Sequence, residues 1–383
     1  MRLYYEWGTK QLKKHGEELC GDSIAVSRLS DSVTMALSDG LGSGVKANIL
    51  ATLTTQIAMN MLVNDLPLGE VVQTLGETLP VDRVRGLAYS TFAIAKLFSH
   101  GSAKIVEFDT PSAMILRRRK IQPVSYEERS IEGKKVRETV FDLEVGDWVV
   151  FVSDGVLNAG IGGVYPLGWG WEQAAEFLEQ HAHHDLSAED LAMRVADTVN
   201  DLYAGKPGDD VSIVVIKIRH KLVTTVFTGP PADSKLDAEV VDRFIRRSGK
   251  LVVCGGTTAK IVSRYLGRPI EVDLNTITRD VPPIARMEGI DLVSEGILTL
   301  TRVSDLLRSG IGKKDVMFRT DGAANLIRLL LDADHIHFIV GHAVNPAHQN
   351  PELPNQLGIR MKVVQEIEEA LIKLGKDVTV DSV

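Results

Sequence analysis

Cysteine is nearly absent: the 383 residues include only Cys20 and Cys254, far apart and outside any Cys-x-x-Cys spacing. That excludes a disulfide framework and a thiolate zinc site, and leaves two buried thiols as the expectation. Long apolar runs are missing too. No stretch approaches the roughly 18 to 20 residues a membrane span needs, so no membrane partner is expected. The first 18 residues carry charges throughout and lack the apolar centre of a secretory signal, which predicts a cytoplasmic protein. Nor is there a basic excess. The net charge is −8, with 22 Lys/Arg against 30 Asp/Glu in residues 1–220 and 21 of each in 221–383. The acidic surplus lies wholly in the first part, which suits cations and argues against a nucleic-acid partner.

What the chain does contain is an ordinary globular composition, 44% hydrophobic and 25% charged, at a length that predicts two domains. In residues 1–220, Ser23 to Leu29 and Val33 to Leu37 read as a hairpin around Ser30-Asp31-Ser32. Helical spacing follows from Gly44, with a second helix expected over Leu68 to Leu79. Strand patterns return over Tyr89 to Phe98, Ala103 to Phe108, Ala113 to Arg117 and Trp148 to Val152. Helices over Trp171 to His181 and Ala188 to Tyr203 then precede a last strand, Val211 to Ile218. Strands in blocks and helices in blocks describe an α+β fold, a four-layer β-sandwich flanked by helices. From residue 221 the order becomes strand, turn, helix, repeated, which predicts an α/β domain with a mainly parallel sheet over 221–383.

Four aspartates terminate strand-like apolar runs in the first part: Asp22, Asp39, Asp154 and Asp209. A buried strand tip ending in an ionised carboxylate is costly unless a cation or donor faces it. Aspartate, backbone carbonyl and water are hard oxygen ligands, so such a set without His or Cys selects Mg²⁺ or Mn²⁺. In Ser38-Asp39-Gly40-Leu41-Gly42-Ser43-Gly44 the glycines let the chain turn sharply, so that Asp39 can bridge two ions while the Gly40 carbonyl reaches one. Two such ions would place a water for attack on phosphorus, which makes phosphomonoester hydrolysis the implied reaction. Taken singly, each Asp-Gly also reads as a turn dipeptide.

As a set, Gly21-Asp22-Ser23, Ser38-Asp39-Gly40-Leu41-Gly42-Ser43-Gly44, Phe151-Val152-Ser153-Asp154-Gly155-Val156 and Gly208-Asp209-Asp210-Val211-Ser212 resemble the type 2C metal-dependent protein phosphatases, in their bacterial stage II sporulation branch. The resemblance covers roughly residues 10–218. It implies two Mn²⁺ or Mg²⁺ ions and hydrolysis of a serine or threonine phosphoprotein. It further implies that Asp39 bridges the metals with Gly40 contributing its carbonyl, that Asp154 and Asp209 complete one metal's shell, and that Asp22 serves the other. Asp39, Asp154 and Asp209 are thus the expected catalytic set, and Asp210 is expected behind the ligands rather than among them. Leu41 stands where eukaryotic members carry a histidine, so protonation of the leaving group falls to water. Those members hold the substrate phosphate with an N-terminal arginine; here only Lys10, Lys13 and Lys14 are candidates, and a solvated lysine cluster is the alternative. The resemblance also implies a switch, with the helices over Gly44 to Leu79 adjusting metal occupancy.

In the second part, Gly255-Gly256-Thr257-Thr258 between a strand and a helix reads first as a turn with a threonine N-cap. The alternative is an anion-holding loop for a small molecule or nucleotide. His335 and His337 would share one strand face, with no carboxylate partner identifiable in the sequence. Residues 221–383 therefore read as a ligand-sensing or dimerisation domain, with a homodimer as one expectation. The reading from a different class is a catalytically weak phosphatase-like regulator that acts by binding through this C-terminal domain.

Overall fold

The computed structural model describes residues 3–78, 90–131, 134–278, 281–343 and 356–383. The chain divides into two compact units, Met1–His220 and Lys221–Val383. Leu79 and Tyr89, the expected limits of a helix and a strand, lie outside the described residues.

The first unit is α+β and holds two antiparallel sheets. Its elements are β1 (Tyr4–Leu12), β2 (Asp22–Arg28), β3 (Ser32–Gly40), α1 (Gly44–Val63), α2 (Leu68–Thr78), β4 (Ser90–Phe98), β5 (Ser102–Phe108), β6 (Met114–Arg117), β7 (Lys120–Ile121), β8 (Glu127–Ile131), β9 (Lys134–Asp142), β10 (Trp148–Val152), α3 (Asp154–Leu157), α4 (Gly170–His181), α5 (Ala188–Leu202) and β11 (Val211–Arg219). One sheet runs β1-β11-β10-β6-β7 and the other β2-β3-β4-β5-β9-β8. Alternation along the strands sends side chains to opposite faces. Met35, Leu37, Ala95 and Ile105 of one sheet thereby share a core with Val149, Phe151, Val214 and Ile216 of the other. The remaining faces are apolar as well, so both must be covered. Val150, Val152, Ile213 and Val215 pack with Leu178, Leu191, Val195 and Val199 of α4 and α5. Ala36, Ile94 and Val106 pack with Ala58, Leu62, Val71 and Leu75 of α1 and α2.

One strand is added here and one expectation changes. The lysine-bearing start of the chain is strand β1, paired along its whole length with β11 from Tyr4↔Arg219 to Leu12↔Val211. Its polar residues sit on an edge strand, where one flank needs no apolar partner. Cys20 is only partly buried, whereas Cys254 is fully so.

The second unit comprises β12 (Val223–Thr228), α6 (Asp237–Ile245), β13 (Lys250–Cys254), α7 (Gly256–Leu266), β14 (Glu271–Asp273), β15 (Ile284–Met287), β16 (Ile290–Ser294), α8 (Ile297–Arg308), α9 (Gly322–Asp332), β17 (His335–Val340), α10 (Gln356–Lys373) and β18 (Asp377–Ser382). Among the described residues its sheet has the order β14-β15-β16-β13-β12-β17-β18. The five strands from β16 to β18 in that order are mutually parallel, while β14 and β15 add an antiparallel flank. Val252 packs among residues of α8, α9 and α10, and its neighbour Val253 among residues of α6 and α7. Both faces of the sheet are therefore covered by helices.

Strand β18 corrects the reading of the histidines. Asp377 Oδ2 lies 2.9 Å from His335 Nδ1, and Asp381 Oδ2 lies 3.2 Å from His337 Nε2. Carboxylate partners exist, but they come from a short strand at the far end of the chain, and they hold the rings in place.

Candidate functional site

Strands β2 and β3 bring the first two aspartates face to face, with Asp22 opposite Asp39 in the antiparallel register. On the other flank of β3, Asp39 faces Thr91 and Gly40 faces Ser90. Ser90 Oγ donates to the Asp39 carbonyl at 3.0 Å, which ties the start of β4 to the end of β3. Gly40 is obligatory for a reason beyond turning. A Cβ there would run into the backbone carbonyl of Ala47 in α1, so the helix lies directly on the strand end. Gly155 has the same role on the other sheet, since a Cβ would strike the Asp210 carbonyl.

Asp154 does not sit at a bare strand tip. It is the first residue of α3, a single turn that starts two residues after β10 ends. An acid in a first helical turn is favoured by the free amides there. Asp209 lies in the loop before β11, where its Oδ1 accepts from the Asp210 amide at 3.1 Å. Asp210 is 4% exposed, and its Oδ1 accepts the Lys14 amide at 3.0 Å. Its role is thus to pin the loop that follows β1.

Asp39, Gly40, Asp154 and Asp209 line one cleft of about 370 Å³, together with Leu41, Ser90, Thr91, Asp109 and Thr110. Asp22 does not line it. It is buried behind, 2% exposed, and neither carboxylate oxygen has a hydrogen-bond partner. Two hydroxyls lie near it: the Ser153 oxygen accepts from the Ser212 amide at 2.8 Å, and the Ser212 oxygen accepts from Gln11 Nε2 at 2.9 Å.

The electrostatics follow from this crowding. Burial, and then the charges of Asp22, Asp154 and Asp209, push the Asp39 carboxyl up to about 9. Burial pushes Asp22 up to about 6, against the help of Ser212 and Ser153. Asp154 is raised, by burial first and then by Asp209. Tyr203, whose hydroxyl donates to the Gly155 carbonyl at 2.8 Å, is pushed to about 12 by burial and by Asp209 and Asp154. Burial leads in all four shifts, and neighbouring carboxylate charge adds to each.

Hard divalent cations fit that donor set. An orphaned buried carboxylate and a cleft of further carboxylates are chemistry that Mg²⁺ or Mn²⁺ would neutralise. Among the described residues, no three His, Cys, Asp or Glu side chains are arranged so that they could hold a metal by themselves. Mg²⁺ sites commonly use one or two carboxylates, with water filling the remaining positions, so a partial protein shell is compatible with such an ion.

Of the three lysines, Lys10 is drawn away to Glu189 at 2.6 Å, while Lys14 Nζ stands 3.8 Å from Asp209 Oδ1. Ser90, Thr91, Asp109, Thr110 and Pro111 line the cleft without having been singled out in the sequence. Asp109 follows β5 with φ 49°, a left-handed conformation uncommon outside glycine. Its signal was available, since it too is an aspartate directly after an apolar strand.

Residues 30–219 match the family model for stage II sporulation protein E, SpoIIE. Among solved structures, the chain is similar to the PP2C phosphatase domain with a fragment of the regulatory domain of SpoIIE from Bacillus subtilis. That match has 19% identity and a TM-score of 0.49, and covers 57% of this chain and 64% of that one. The SiaA-PP2C domain of Pseudomonas aeruginosa matches at 20% identity and a TM-score of 0.45, over 55% of this chain and 85% of that one. RsbX in complex with magnesium matches at 15% identity and a TM-score of 0.41, over 56% and 95%. Among curated proteins no match is found.

Proposed function

From a chain that belongs, through residues 30–219, to the SpoIIE family of type 2C phosphatases, we propose a cytoplasmic, metal-dependent phosphatase acting on phosphoserine or phosphothreonine in a protein. One observation carries this reading: Asp39, Asp154 and Asp209, from three separate parts of the chain, face one cleft, with the unpartnered Asp22 carboxylate behind them. The three packed clusters of the first unit support a four-layer arrangement, helices outside and two sheets within, that sets these chain segments at one end.

Asp39, Asp154, Asp209 and the Gly40 carbonyl would hold Mn²⁺ or Mg²⁺, and Asp22, with both carboxylate oxygens unpartnered, would serve a second such ion. When bound, such ions supply positive charge against the phosphoryl oxygens and lower the pKa of water into the working range. The chain's own part is positional. Ser90, Thr91 and Thr110 line the cleft with hydroxyls, and Lys14 stands at the Asp209 side as a cation for a phosphate to approach. Leu41 lines the cleft without a transferable proton, so the departing alkoxide takes its proton from water.

A second reading keeps the cleft but not the turnover: a phosphatase-like regulator that works through binding by residues 221–383. That residues 221–383 form a compact unit with a crevice of its own favours it. Hydrolysis of p-nitrophenyl phosphate with Mn²⁺ separates the two. Turnover abolished by Asp39→Asn supports the enzyme, and metal binding with no turnover supports the regulator.

A further inference from the structure

The second unit holds a well-formed cavity of its own, lined by none of the acidic cleft residues of the first unit. In chain order the parallel strands are β12, β13, β16, β17 and β18, and in the sheet they lie as third, second, first, fourth, fifth. The winding reverses between β12 and its neighbour β17. In such sheets the loops at the carboxyl ends of the strands part at the reversal and leave a ligand crevice. Here that crevice measures about 750 Å³ and is lined from the ends of β12, β13, β16 and β17 by Gly229, Gly255, Gly296 and Ala343 among others. A volume of this order accommodates a small organic molecule.

The crevice has one end built for an anion. Helix α7 begins at Gly256 with Gly255 as its N-cap, at φ 123° and with no side chain capping it. The sequence reading of a threonine N-cap is thereby overturned: Thr257 and Thr258 lie inside the first turn, and a glycine stands where a capping side chain would be. The Thr258 hydroxyl is left without a hydrogen-bond partner although the residue is 1% exposed and lines the crevice. It sits 3.3 Å from the position a Cβ on Gly255 would take, at the mouth of the free helical amides. Helix α8 opens on the same crevice but is already served, because Glu295 accepts the Leu298 amide at 3.0 Å. At α7 no side chain competes for the first-turn amides, which leaves them open to a negative group. Arg360 lines the crevice as well, its Nη1 donating to the Gly341 carbonyl at 2.7 Å and its guanidinium adding positive charge.

The rest of the lining is of another kind. Pro230, Pro231, Ile261 and Ile297 are apolar, and Asp237 contributes a carboxylate whose Oδ1 is buried without a partner. A carboxylate in that position accepts from a hydroxyl or amine. We propose that this crevice binds a phosphate ester of mononucleotide size, with its phosphate on the α7 N-terminus and Thr258, its flat or apolar part between the prolines and Ile297, and a hydroxyl directed to Asp237. This site is independent of the metal cleft in the first unit.

Isothermal titration of the full chain, in EDTA so that the metal cleft contributes nothing, tests the assignment with AMP, GMP, UMP, ribose 5-phosphate, adenosine and inorganic phosphate as probes. At least one of the esters should bind, and tighter than inorganic phosphate or adenosine by about tenfold or more. Nucleotides binding better than ribose 5-phosphate would identify a base-reading site, and equal binding a sugar phosphate site. Gly256→Asp places a carboxylate at the α7 N-terminus where a Cβ meets nothing within 4 Å, so the fold tolerates it. It should abolish ester binding while leaving the melting temperature unchanged or raised, because an acid suits that helix end. Thr258→Val should weaken binding by about tenfold. Failure of every ester at millimolar concentration, binding no tighter than that of inorganic phosphate, or binding that survives Gly256→Asp would overturn the proposal.

Discussion

Asp22 and Asp39 stand directly opposite one another on adjacent antiparallel strands, one 2% exposed and the other at the floor of the cleft. Like charges in direct cross-strand register are destabilising. The pair therefore persists at the expense of stability, and the consequence is a dependence on protons or cations.

In metal-free protein, stability should fall as pH rises. The unfolded carboxyls titrate near pH 3.9. The folded pair is raised to about 6 for Asp22 and about 9 for Asp39. Between those limits the folded state holds protons that the unfolded state has released, so the stabilisation is complete below the unfolded value and is lost as pH climbs through the folded ones. Thermal denaturation in EDTA should show a drop on the order of 5 °C between about pH 5 and pH 8.5. Saturating Mn²⁺ should remove most of that drop by binding the folded form alone. A melting temperature that rises with pH in EDTA would contradict this account.

Asp39→Asn should separate stability from activity. At pH 8 the folded state must hold on Asp39 a proton that the unfolded chain has released, and asparagine needs none, so the EDTA-treated variant should gain about 1–3 kcal/mol. Its Mn²⁺-dependent hydrolysis of an aryl phosphate should fall by about 100-fold or more. Asp154→Asn and Asp209→Asn should lose activity similarly. Asp210→Asn can still accept the Lys14 amide and should retain more activity than any of the three. Chemical denaturation and steady-state rates on the same preparations check both halves.

Gly40→Ala is expected to harm the protein through the backbone. The added methyl meets the Ala47 carbonyl, and neither strand β3 nor helix α1 can retreat alone, because α1 also packs through Ala58 and Leu62 against Ala36. A loss of about 2–4 kcal/mol is the scale of such overpacking at a backbone contact. Gly42→Ala, where a Cβ meets nothing within 4 Å but φ is 105°, should lose less, about 1 kcal/mol from the strained dihedral. Equal losses for the two would show that the helix contact is unimportant.

Tyr203→Phe removes the hydroxyl that donates to the Gly155 carbonyl at 2.8 Å, beside the start of α3. The expected cost is about 1 kcal/mol in stability. Because Asp154 leads that same turn, weaker Mn²⁺ affinity should accompany it. Unchanged metal affinity would show that Asp154 is held without the tyrosine.

The sequence made some of these features readable and hid others for physical reasons. Asp39 and Asp154 stand out because a run such as Trp148 to Val152 breaks abruptly into an acid and a glycine, a change in local chemistry that needs no partner to be noticed. That they meet Asp209 in a cleft depends on strands far apart in the chain, which no local pattern encodes. Strand β1 was obscured by polar residues such as Glu6, Lys10 and Gln11, which an edge strand tolerates. Strand β18 has only six residues with acids at both Asp377 and Asp381, and its pairing with the histidines of β17 is a contact over some forty residues. Asp109 was not singled out, although it too directly follows an apolar strand, because it lies outside the four motifs that carry the resemblance. The threonines after Gly255 imitate an N-cap in sequence, and only the backbone reveals that the helix starts before them.

The contact of Gly40 with Ala47 also bears on motion. With no side chain between them to absorb displacement, a tilt or slide of α1 must carry the end of β3 along, and with it the carbonyl and carboxylate that face the cleft. Whatever grips the outer side of that helix holds a lever whose short arm is the acidic centre itself.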